Sequence, residues 1–124
     1  MLLKTTKKQF KLFKKEAQKW IEFYGLKSWT VTFFHIELRN SSCAASCSWT
    51  PADKTVSIGL NICVDVDSDE SITDELIRRW AFHEVNHLLL ANLYSIATHR
   101  FIQTSDVDEE VHAILAILEN SFFK

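Results

Sequence analysis

The 124-residue sequence predicts a single α+β domain: an N-terminal helix, a three-stranded hairpin-connected sheet, a central helix and a C-terminal helix. Three observations carry that expectation. A composition of 47% apolar, 24% charged and 12% aromatic residues is globular, and a chain of this length buries roughly two-thirds of its unfolded surface. With 2 Gly and 1 Pro, the sequence has too few breaks for a many-stranded sandwich. Apolar residues recur at three- and four-residue steps at both ends of the chain and alternate in its middle.

The first helix is expected over about residues 6–24, where Phe10, Phe13, Ala17, Trp20 and Tyr24 form one apolar stripe. Lys7, Lys8, Lys11, Lys14, Lys15 and Lys19 fill most of the remainder, and Gly25 ends the helix. Residues 28–38 are rich in β-branched and aromatic side chains and read as the first strand. A second strand over 43–50 sets Cys43, Ala45, Cys47 and Trp49 against Ala44, Ser46, Ser48 and Thr50. After a turn at residues 51–54, a third strand over 55–62 points Val56, Ile58, Leu60 and Ile62 inward. Asp65, Asp67, Asp69 and Glu70 then form an acidic linker. It lacks the glycine and distal glutamate of a calcium loop, so a solvated connection is expected.

Ser71 or Thr73 can cap the central helix, which carries Asp74 and Glu75 in its first turn and continues to about Tyr94. From Trp80 onward it is apolar nearly all round, which predicts a position central to the core. Residues 95–103 form a connection. The last helix starts near Ser105 or Asp106 and runs to about Ser121, with Val107, Val111, Ile114, Leu115, Leu118 and Phe122 on its apolar face.

Several classes are disfavoured. A formal net charge of -2 makes no global case for nucleic-acid binding, and the Lys7–Lys19 face reads as a solvated helix surface. No stretch approaches 18 uncharged apolar residues, and the basic N-terminus lacks the apolar run of a signal peptide. Cys43, Cys47 and Cys63 are odd in number and form no CxxC pair. Reduced thiols, small core side chains and a cytoplasmic location are expected.

The chemistry concentrates in His83-Glu84-Val85-Asn86-His87, an HExxH motif on the central helix. Residues four apart share a helix face, so both imidazoles can bind one tetrahedral zinc ion while Glu84 serves a bound water as general base. Chance would place one such motif in roughly 1–2% of shuffled chains of this composition, so the signal is specific. A third ligand is required, and residues 88–91 carry no extension that supplies one. Asp108-Glu109-Glu110 opens the last helix; Glu110 lies beside its apolar face with Ile114 and Ile117, and is preferred, with Glu109 in reserve. Other candidates are weaker. His112 and His35 read as ordinary surface and strand residues, Glu119 as a solvated residue or an acceptor for a ligand histidine, and Tyr94 as a residue on the His87 face.

With His83, Glu84, His87 and the Asp108-Glu109-Glu110 region in place, the chain resembles the minimal zincin metallopeptidases. The resemblance is to the short single-domain members carried by phages and prophages, distantly SprT-like and of the gluzincin type. In architecture it covers nearly the whole chain. It implies a zinc-dependent peptidase acting on a peptide or protein substrate, with a later-helix glutamate as third Zn²⁺ ligand. It also implies that the strand before the active helix pairs with an extended peptide, through the segment of Thr55, Ser57, Gly59 and Asn61. A viral member would work in the host cytoplasm, and its small cleft invites a regulatory partner protein. SprT-like relatives add a cysteine zinc ribbon that this sequence lacks, and no oxyanion-stabilising residue stands at a fixed spacing after the motif. The rival expectation is a non-catalytic, metal-stabilised binding or accessory protein on the same scaffold. A nucleic-acid-binding protein using the Lys7–Lys19 face stands third.

Overall fold

A computed structural model describes residues 1–67, 71–99 and 101–123. Asp69 and Glu70 of the acidic linker lie outside the described residues. The element order is β1 (Leu2–Lys4), α1 (Lys7–Phe23), β2 (Thr30–Ile36), β3 (Ala45–Thr50), β4 (Thr55–Asn61), β5 (Cys63–Asp65), α2 (Asp74–Leu89), α3 (Ala91–Thr98) and α4 (Thr104–Phe122). The α+β class is as expected.

Helix α1 begins on a capping box. The Thr6 hydroxyl accepts from the Gln9 N–H at 3.1 Å, and the Gln9 side chain accepts from the Thr6 N–H at 2.9 Å. It ends before Gly25, whose φ of +69° is a left-handed conformation that glycine adopts without a Cβ penalty. Phe13, Ala17 and Ile21 of α1 join Ile77, Ala81, Val85 and Leu88 of α2 and Val56, Ile58 and Leu60 of β4 in one buried cluster. Each large member contributes about 1.5–3 kcal/mol by leaving water, which makes this cluster the main support of the fold.

The sheet has the order β2-β4-β3, with β2 parallel and β3 antiparallel to β4. The expected run of hairpins is therefore half right: β3 and β4 form one, whereas β2 reaches β3 by crossing over. The strand with the most continuous apolar burial, β4, takes the centre, because a central strand is covered on both edges and here on much of both faces. Asn61 fixes the crossover. It is fully buried; its Oδ1 accepts from the Leu38 and Cys63 N–H groups, and its Nδ2 donates to the Cys43 carbonyl at 2.8 Å. One amide side chain thus ties the 38–43 segment across the end of β4.

Register explains the two faces. Val31, Phe33 and His35 stand opposite Val56, Ile58 and Leu60, which in turn stand opposite Trp49, Cys47 and Ala45. That face meets the helices. A second small sheet, β1 paired antiparallel with β5, was not expected; strands of three residues leave no readable alternation.

The central helix is shorter than its apolar pattern implies. Leu90 (φ -94°, ψ 2°) interrupts it, and α3 resumes at Ala91, covering the helix expected as far as Tyr94 and extending to Thr98 over residues expected to be a connection. No glycine or proline marks the break. Nor is α2 buried all round: Ile77, Ala81, Glu84, Val85 and Leu88 face the core, while Phe82, His83 and His87 are exposed. On α4, Ile114 and Ser121 are buried, and the expected face residues Val111, Leu115 and Phe122 are 37–57% exposed. Cys43 is exposed rather than a core residue, Cys47 and Cys63 are half-buried, and all three are free thiols. Among the described residues, no helix is long and apolar enough to cross a membrane.

Candidate functional site

The Thr73 hydroxyl caps α2 by accepting from the Leu76 N–H at 3.2 Å. Two turns later the helix presents His83 and His87 side by side. Their Nε2 atoms are 3.1 Å apart, and the rings stand nearly perpendicular with centroids 4.7 Å apart. Two nitrogens bound at 2.0–2.1 Å to one tetrahedral zinc ion would be roughly 3.3 Å apart, so the pair fits a shared ion. Burial and the neighbouring His83 charge both hold the His87 imidazole below its usual pKa, which keeps a lone pair available at neutral pH.

Glu84 turns the other way, toward the sheet, and is 7% exposed. Burial pushes its carboxyl from the ordinary 4.5 up to about 7. The Cys47 thiol across from it is pushed up to about 12, first by burial and second by the Glu84 charge, so it is no nucleophile at neutral pH. Glu84 and His83 border a cavity of about 500 Å³. Cys43 and Ala44 just before β3 and Ala45 at its start supply one side of its lining; Leu76, Arg79 and Trp80 on α2 supply the other.

Comparison of the chain with protein families, curated proteins and solved structures finds no match. The site must be read from its own geometry.

That geometry brings together two of the residues singled out from the sequence, His83 and His87; Glu84, next to His83 in sequence, is turned toward the sheet, and no third ligand joins the pair. Among the described residues, no three His, Cys, Asp or Glu side chains converge as a metal site. Glu110 is half-buried and Glu109 exposed, both in the second turn of α4, and neither joins the histidine pair. The remaining candidates have structural surroundings. The His112 Nδ1 lies 2.8 Å from the Asp108 carbonyl, and Glu119 is exposed on α4. Tyr94 is exposed and stands edge-on to Trp49 at 5.5 Å. His35 stacks on Phe10 at 5.0 Å and bonds the Thr5 hydroxyl at 2.8 Å; burial lowers its pKa.

The expectation that Thr55, Ser57, Gly59 and Asn61 offer a peptide-pairing edge is corrected. β4 is paired on both sides. A Cβ at Gly59 would lie 3.2 Å from the Ser46 Oγ, and Asn61 is committed to the crossover. The edge beside α2 is β3, which among the described residues pairs with β4 alone. The Asn61 N–H donates to the Ala44 carbonyl, so antiparallel alternation turns the N–H and C=O groups of Ala45, Cys47 and Trp49 outward. Sequence reasoning also passed over Leu76, Arg79 and Trp80. Their signal was present: they precede His83 by seven, four and three residues and share its side of the helix.

Proposed function

We propose that the chain is a small zinc-dependent peptidase, a minimal zincin of the gluzincin type. The observation that carries this reading is the convergence of the His83 and His87 Nε2 atoms at 3.1 Å, one residue from buried Glu84, beside an unpaired strand edge. His83 and His87 would hold the ion, and Glu109 or Glu110 would complete the set if the start of α4 approached them. Bound there, zinc would supply an acidified water and a Lewis acid for the scissile carbonyl. Glu84 accepts a proton from the attacking water at its carboxylate and returns it to the leaving amine. A carboxyl titrating near 7 suits both halves of that transfer. The outward groups of Ala45, Cys47 and Trp49 align an extended peptide by strand addition.

A second reading, a metal-stabilised binding module without catalysis, is favoured by one observation, the separation of Glu109 and Glu110 from the histidine pair. The deciding experiment measures zinc content and peptide hydrolysis together. About one zinc per chain is expected, lost in the His83→Ala/His87→Ala double variant and weakened in Glu110→Ala or Glu109→Ala. Hydrolysis should disappear in Glu84→Gln with zinc retained. A zinc-loaded chain that cleaves no member of a peptide library supports the second reading, and failure to take up zinc at all overturns both.

A further inference from the structure

The cavity beside His83 contains a charge that the proposed chemistry leaves unused. Arg79 lies one helical turn before His83, on the same side of α2, with side-chain bases roughly 5–6 Å apart. Ion pairs among the described residues join Met1 with Asp65, Lys19 with Glu16 and Lys27 with Glu22; the Arg79 guanidinium takes part in none. Glu75, one turn earlier and bordering the adjoining small cavities, does not pair with it either. Arg79, exposed and in no ion pair among the described residues, thus borders a cavity whose lining combines apolar Leu76, Trp80, Ala44 and Ala45 with Cys43, His83 and Glu84.

We propose that this cavity reads a carboxylate: Arg79 receives an acidic side chain of a bound peptide, next to the position held over His83. The assignment to substrate rests on the peptidase reading; the binding of an acidic peptide does not. A guanidinium offers two parallel N–H donors that match a carboxylate and cannot be satisfied equally by an amide or an ammonium. The size fits, since about 500 Å³ holds one side chain with part of its backbone. The free β3 edge, beginning at Ala45, places a paired peptide along the same opening.

The test uses labelled octapeptides in which a single Glu, Gln or Lys moves through the four central positions of an alanine-rich background. Fluorescence polarisation on chelator-treated protein reads binding without turnover. At the best position the Glu peptide should bind about tenfold tighter than its Gln or Lys counterpart, the size of one charge-assisted pair. Arg79→Gln should bring the three within about twofold, and Arg79→Glu should reverse the order toward Lys. Equal affinities in the unaltered chain, no binding of any Glu peptide, or a preference that survives both variants would overturn the proposal. The same peptides offered to zinc-loaded protein separate the two readings. An intact preference without cleavage removes the peptidase and keeps the pocket, whereas cleavage indifferent to charge does the opposite.

Discussion

Among the described residues, Glu84 is the one ionisable carboxyl in the buried set, and its environment sets a testable pH dependence. Its folded-state pKa is raised from 4.5 to about 7 by desolvation. Between those values the native state keeps a proton that the unfolded chain releases. The stability this group confers is therefore full below 4.5 and is lost as pH rises to about 7. His35 and His87, both held below the usual histidine value first of all by burial, act in the opposite sense: their contribution is gained as pH rises through 6.5. Comparison with Glu84→Gln isolates the carboxyl. In chelator, the variant should be more stable than the parent at pH 8 by on the order of 1–3 kcal/mol, and the difference should vanish below pH 4.5. Urea titrations across that range check it; a constant difference would mean that Glu84 is solvated.

At the scale of elements, the caps and the sheet edge make separate claims. Thr6→Ala removes half of the capping box of α1 and should cost about 1 kcal/mol of stability while leaving zinc content unchanged. Ala45→Pro deletes one outward N–H of β3 and none of its bonds to β4, since proline is tolerated where an edge strand faces away from its neighbour. If the peptide pairs with β3, zinc content should hold while kcat/KM falls at least about tenfold; an unaltered kcat/KM would remove strand addition from the mechanism. The contrast between these elements shows what the sequence carried. Helix α1 was legible because Phe10, Phe13, Ala17, Trp20 and Tyr24 repeat at helical steps between a threonine cap and a glycine stop. The strands were legible one by one, since Val56, Ile58 and Leu60 alternate. Their order was not, because Asn61, the side chain that holds the crossover, looks in sequence like one more outward polar residue. The same lack of pairing information put the peptide edge on β4. That His83 and His87 share a helix face depends on spacing within two turns and was legible; how α4 sits relative to that pair is not encoded by any local pattern.

For the whole molecule, stability is uneven. Helices α1 and α2 share the buried cluster with β4, whereas α4 contributes Ile114 to it and leaves Val111, Leu115 and Phe122 largely in water. Its hold on the rest includes the Ser121 hydroxyl donating to the Phe23 carbonyl at 3.0 Å and the edge-on contact of Phe122 with Phe23, both near its C-terminal end. Glu109 and Glu110 are at the other end, more than two turns from that anchor. Segments with few buried apolar groups open at low free energy, so amide exchange in chelator should be faster in the N-terminal half of α4 than in α1 or α2. Zinc that binds the native state through a glutamate there would stabilise that end specifically. Exchange over residues 104–112 should then slow on zinc addition in the unaltered chain, and the same slowing should be lost in Glu110→Ala, or in Glu109→Ala if that carboxylate is the ligand. Protection confined to α2 would instead mean that the two histidines hold the ion without α4, leaving two coordination positions for water or a partner's side chain.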